Sequence, residues 1–116
     1  MSAETIWTVD DVRTKPGQGQ AFLKAYREHY VPGAEARGMR LVHAKVEPAM
    51  WLDDEPNRLL LVWALDHVGT VWGAKHVARM TPDVDHFWND IAPPLIEART
   101  RSVMAEADQL EALANV

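Results

Sequence analysis

Hydrophobic positions along this chain follow two periods, and the changes between them fall at proline and glycine. Thr5 to Arg13 (TIWTVDDVR) is rich in β-branched and aromatic residues and stops at Lys15-Pro16-Gly17, which predicts a strand and a turn. From Gln18 the spacing becomes helical. Ala21, Phe22, Ala25, Tyr26 and His29 share one stripe, with Gln20, Lys24, Arg27 and Glu28 on the other side. The helix is predicted to run to about Tyr30, because Pro32 has no N–H to donate to the Glu28 carbonyl. Pro32 then opens a short helical piece, with Gly38 as its left-handed cap.

Met39 to Val46 (MRLVHAKV) predicts a second strand, with Met39, Leu41, His43 and Lys45 as one set of side chains and His43 on a buried face. A loop or ragged hairpin (EPAMWLDDEPNR) leads into Arg58 to Leu65 (RLLLVWAL). That segment is apolar on both alternating sets, as a strand covered on both faces should be. A helical stretch is expected from about Gly69 to Met80. Thr81-Pro82-Asp83 then starts another helix, with an N-cap threonine, proline at N1 and acidic residues in the first turn. This helix carries Phe87, Trp88 and Ile91 and falters at Pro93-Pro94. Ser102 to Ala107 reads as a last strand, before an acidic tail.

The order is βαββαβ, a ferredoxin-like α+β unit in which two helices cover one face of a four-stranded antiparallel sheet. The chain, 1–116, reads as one domain. Because Arg58–Leu65 is apolar on both sides and only two helices are available, a second copy of the same sheet is the simplest cover for the open face. The expected assembly is a homodimeric α/β barrel.

Composition narrows the partners. A formal net charge of −5 and a pI near 5.4 argue against nucleic acid, which needs a basic surface. The basic cluster Arg99 to Arg101 reads as a helix end answering the macrodipole. There is no cysteine, hence no disulfide, thiol nucleophile or thiolate metal site. No segment approaches a membrane span, and the polar start (MSAETIW) lacks a signal-peptide pattern, so the expected location is the cytoplasm.

Several stretches are similar to the NIPSNAP family: VRTKPGQ before a helix, REHYVP…ARGM leading into a strand, the apolar LLVWAL, and TPDVDHFWNDIAPPLIEARTR. The resemblance runs from about Ile6 to Met104. It places the chain in the wider dimeric α/β-barrel group, which includes the antibiotic-biosynthesis monooxygenases. It implies a homodimer whose sheets close face to face and a cavity between each sheet and its own helices. The chain departs from the family in the first strand, where an arginine and an aromatic are frequent and Asp10 and Val12 stand here. No single reaction is implied, since such barrels carry many activities.

Candidate chemistry rests on few side chains. His29 and His43 are the candidate proton-transfer groups, with Tyr26, Asp10 or Asp11 to orient them; each histidine is equally well read as a hydrogen-bonded structural residue. Asp10 and Asp11 point to opposite faces of one strand. One of them should therefore be buried, either with a histidine or arginine partner across the sheet or in the cavity with a raised pKa. Trp63, Trp72 and Trp88, with His76, are candidate walls of a pocket for a flat apolar ligand; the competing reading is plain core. His67, His76 and His86 lack metal-ligand spacing, so neither a metal nor a cofactor is expected.

Two functions follow. One is a cofactor-free enzyme using histidine acid/base chemistry on an apolar carbonyl or phenolic compound, as a monooxygenase, isomerase or cyclase would. The other is a non-catalytic dimer that binds an apolar ligand or a protein. Haem binding with degradation ranks third.

Overall fold

The computed structural model describes residues 5–65, 84 and 86–110. Strand β1 (Ile6–Thr14) is followed by helix α1 (Gly19–His29), the short helix α2 (Val31–Ala36), β2 (Arg40–Glu47) and β3 (Arg58–Leu65). A π-helical turn (Phe87–Ile91) precedes β4 (Ile96–Ala105), and a single 3-10 turn (Ala107–Gln109) follows it. The expected helix from Gly69 to Met80 and the Thr81-Pro82-Asp83 helix start lie outside the described residues.

The strands form one antiparallel sheet in the order β2-β3-β1-β4. This is the ferredoxin-like arrangement, with the first and third strands central and the helices on one face. The two-sided apolar β3 takes a central place, as its pattern requires: Leu59, Leu61, Trp63 and Leu65 are buried against the helices. Leu60 and Val62, on the opposite face, are only partly covered.

The boundaries follow local chemistry. The turn after β1 uses Gly17 at φ +73°, where any Cβ would also meet the Asp53 carbonyl oxygen. Tyr30 separates the two helices, Pro32 sits in the first turn of α2, and Gly38 at φ +89° turns the chain into β2. Asn57 holds the long β2–β3 connection. Its amide donates to the carbonyls of Glu47 and Met50 and accepts from Leu52 N–H, while its backbone exchanges hydrogen bonds with Thr14. This side chain is buried, and every polar atom of its amide has a partner.

Three expectations need correction. The inner stripe of α1 is Gly19, Phe22, Leu23 and Tyr26, continued by Tyr30, so it is rotated away from Ala21 and His29, which are exposed. In β2, a bulge at Val42 breaks the register between Leu41 and His43. Leu41, Ala44 and Val46 therefore face the core, and His43 falls with Lys45 on the other, exposed side. Finally, Arg99 to Arg101 is no helix end. It lies inside β4, which starts at Ile96 rather than at Ser102.

Candidate functional site

The helix-facing side of β1 carries Asp10, completely buried although it is an acid in the middle of a strand. Cross-strand register sets Arg101 of β4 directly opposite. Its Nε donates to Asp10 Oδ1 at 2.7 Å and its Nη2 to Oδ2 at 2.8 Å, a bidentate pair. The Tyr26 hydroxyl, reaching down from α1, donates to Oδ2 at 2.8 Å and accepts from Trp63 Nε1 at 2.6 Å. Arg101 Nη2 also donates to the Tyr30 hydroxyl at 2.7 Å. Five residues from three strands, helix α1 and the inter-helix junction thus form one connected polar network.

Electrostatics follow from burial and this geometry. Burial works against the Arg101 charge, but the hydrogen bonds and attraction of Asp10 outweigh it and hold its pKa above the ordinary arginine value. Burial, reinforced by the Asp10 charge, pushes the Tyr26 phenol well above its usual pKa of about 10. One expectation follows directly. Below pH ~10 Tyr26 is protonated whether the chain is folded or unfolded, so it has no effect on pH dependence there. Above that pH the unfolded chain releases the proton and the folded one holds it, so stability falls as pH rises. Urea denaturation at pH 8 and pH 11 should show this loss, and Tyr26→Phe should make the alkaline decline shallower. Equal pH slopes in the two proteins would contradict the assignment.

Around the network stands an aromatic cluster. Tyr26 and Tyr30 stack with ring centroids 5.0 Å apart, Trp88 lies 5.5 Å from Tyr30, and Phe87 meets Trp88 edge-on at 4.8 Å. Trp63 closes the sheet side, 6.2 Å from Tyr26 and 6.1 Å from Tyr30. Tyr26, Tyr30, Trp63 and Phe87 are buried, Trp88 is partly covered, and the Arg101 side chain retains 27% exposure at the cluster's edge. Beside it, the Arg99 guanidinium stands over the Trp88 ring at 3.7 Å. Burial pulls its pKa below the ordinary arginine value; the attraction of Asp10 opposes this and the repulsion of Arg101 adds to it.

The sequence-derived candidates divide accordingly. Asp10, Tyr26, Trp63 and Trp88 come together here. Asp11 faces the other side of the sheet, in a bidentate pair with Arg58 at 2.9 and 2.7 Å, and the Arg58 hydrogen bond holds its carboxyl below the usual range. His29 is half exposed at the end of α1, 3.8 Å from Glu28, and His43 is exposed on the open face. Neither histidine reaches the network. His86 pairs with Asp90 at 2.9 Å on the surface. Trp72 and His76 lie outside the described residues, as does His67. Among the described residues no group of three or more His, Asp or Glu side chains could hold a metal ion, and no helix is long and apolar enough to cross a membrane.

Sequence reasoning missed Tyr30, Arg99 and Arg101. A signal for the arginines was present: an acid at a buried strand position asks for a cation on a neighbouring strand, and 99 and 101 share one face of an extended segment.

No protein-family model matches the sequence, and no curated protein matches it significantly. Solved structures do share its fold. A NIPSNAP family protein of unknown function from Agrobacterium tumefaciens superposes with a TM-score of 0.70, covering 92% of each chain at 16% identity. An uncharacterised NIPSNAP domain protein from Burkholderia xenovorans gives 0.68, covering 88% of this chain and 94% of that one at 17% identity. A putative antibiotic biosynthesis monooxygenase from Nitrosomonas europaea gives 0.58, covering 90% and 91% at 15% identity. At these identities the likeness is one of fold, and the chain has the ferredoxin-like α+β fold of solved NIPSNAP family proteins.

Proposed function

We propose that this chain is a homodimeric α/β-barrel protein that binds a small apolar compound at the partly open edge of the aromatic cluster, beside Trp88, Arg101 and the Tyr30 hydroxyl. The observation that carries this reading is the partial exposure of Arg101. A purely structural core has no need of a charged network in its aromatic centre, and buried ion pairs are poor stabilisers. A site that must orient a polar group on an otherwise flat apolar ligand does need one. Arg101 and the Tyr30 hydroxyl would orient the carbonyl or phenolic oxygen of such a compound.

Binding is favoured over histidine acid/base catalysis. Among the described histidines, His29, His43 and His86 all lie away from the network, so none of these three is placed to move a proton at a ligand held there. The same placement weighs against His29, His43 and His86 as axial haem ligands. Dimerisation is supported by the apolar character of the open sheet face.

The test is a fluorescence titration of the full chain with 2-naphthol, a neutral phenolic probe, watching tryptophan emission. Saturable quenching at one probe per chain, lost in Tyr30→Ala, is the expected result. Emission that stays linear in probe up to its solubility limit would end the binding reading.

A further inference from the structure

The edge of the aromatic cluster holds more donors than acceptors. Asp10 neutralises Arg101, and its oxygens are already engaged by Arg101 and Tyr26. Arg99 points to the same side of β4, one pleat away, with its guanidinium over Trp88 and no carboxylate bridging to it among the described residues. Two further donors are buried there without an acceptor among the described residues: the Trp88 indole N–H and Arg37 Nε. The Arg37 guanidinium stands 5.8 Å from the Tyr30 ring centroid, and that of Arg101 stands 5.6 Å from it. A buried donor left without an acceptor costs free energy, and so does a desolvated cation without an anion. An acidic ligand supplies both missing partners.

We propose that the compound bound here is an aromatic or similarly flat carboxylic acid, whose carboxylate sits against Arg99 and the Trp88 edge of the cluster. The inference deepens the reading of the aromatic cluster as a ligand site and rests on it. A carboxylate is favoured over free phosphate because it can be carried in the plane of a flat ring that packs beside Trp88. A guanidinium fork donates in parallel to two oxygens of a carboxylate or of a phosphate, so Arg99 supplies the anion site and the flat surface beside it supplies the choice. The partly covered Trp88 ring then takes the apolar body. Arg99 is the specificity residue for the carboxylate, since Arg101 has its Nε and Nη2 engaged by Asp10 and Tyr30 and can offer a ligand only its remaining nitrogen.

The test is calorimetric titration of the full chain with two acids, benzoate and 2-naphthoate, their neutral amides, and inorganic phosphate. The acid should bind about tenfold or more tightly than its amide, the worth of one charge-assisted hydrogen-bond pair. Arg99→Met, which keeps an aliphatic stem against Trp88, should abolish that preference and leave amide affinity unchanged. If Arg99→Met does not fold, Arg99→Lys should reduce the preference, because it keeps the charge and loses the fork. Acid and amide binding equally in both wild type and variant would overturn the carboxylate inference and leave the aromatic site standing. Phosphate binding more tightly than either acid would also overturn it. Failure of every aromatic probe, with the 2-naphthol titration also flat, would remove the underlying site and the inference with it.

Discussion

Arg101→Met is expected to lower the unfolding free energy by about 3–5 kcal/mol, the usual cost of stranding one member of a buried ion pair. Asp10 is completely buried, and Arg101 supplies two of its three side-chain hydrogen bonds among the described residues. Without the guanidinium, the carboxylate must either stay charged in an aromatic environment or take up a proton. The Tyr30 hydroxyl loses a donor at the same time. The double substitution Asp10→Leu with Arg101→Met removes both charges and should recover most of the loss, because the pair itself is a weak net stabiliser. Urea denaturation of the four proteins in the cycle reads the result. A single Arg101→Met change costing less than ~1 kcal/mol would show that Asp10 is solvated or otherwise partnered. The pair on the other face is the contrast: Arg58→Met should cost less than Arg101→Met, because within one chain Arg58 and Asp11 keep 52% and 35% side-chain exposure.

That contrast bears on which parts of the molecule were legible beforehand. Adjacent aspartates in a covered strand imply that one is inside and one outside, and β1 places Asp10 and Asp11 in that way, each with an arginine. The turn at Gly17, the break at Pro32, the cap at Gly38 and the central position of β3 all follow from backbone rules that act locally. The misplaced residues depended on information that is not local. A one-residue bulge at Val42 reverses the faces of everything after it, and no pattern in MRLVHAKV marks it. The rotation of α1 by about one residue exchanges His29 for Tyr30. It is decided by which side chain can reach the carboxylate of Asp10 and its arginine partner, not by the apolar stripe alone. Arg99 and Arg101 were hidden by a different conflict. The segment Ile96–Ala105 alternates charged and small residues, as suits an edge strand, and sits directly behind Pro93-Pro94, where a helix end was the easier inference.

The same rearrangement moves the functional emphasis from imidazole to guanidinium. A histidine-centred site would titrate near neutral pH. Arg101, Arg99 and Tyr26 do not, because the arginines stay charged and the Tyr26 phenol stays protonated well into the alkaline range. Ligand affinity that is flat between pH 6 and pH 8 for a probe without a titrating group of its own is therefore the natural behaviour of this network.

Leu60→Glu is expected to turn the proposed dimer into a monomer at micromolar concentration. Leu60 lies mid-strand in β3 on the face away from the helices, next to Val62 in the same row and opposite Asp11 on β1. Trp7, Leu60 and Val62 are only partly covered there and Met104 is 50% exposed, an apolar surface on a sheet whose other side is already packed. Sheets packed face to face approach to about 10 Å, so a carboxylate introduced on each partner would be desolvated close to its twin. Burying an unpaired charge costs several kcal/mol, which corresponds to a loss of association on the order of 100-fold or more. Lys45→Ala, a change at an exposed position on the same face, tests whether the effect is specific; it removes a charge without introducing one and should leave the assembly intact. Sedimentation velocity separates the outcomes. A wild-type chain sedimenting as a monomer, or a Leu60→Glu chain that remains dimeric, would show that the open face is not the pairing surface. If the Leu60→Glu monomer still binds 2-naphthol with unchanged affinity, the aromatic site is complete within one chain. If binding is lost while the monomer stays folded, the partner sheet is needed to hold β1, and with it Asp10 and Arg101, in place.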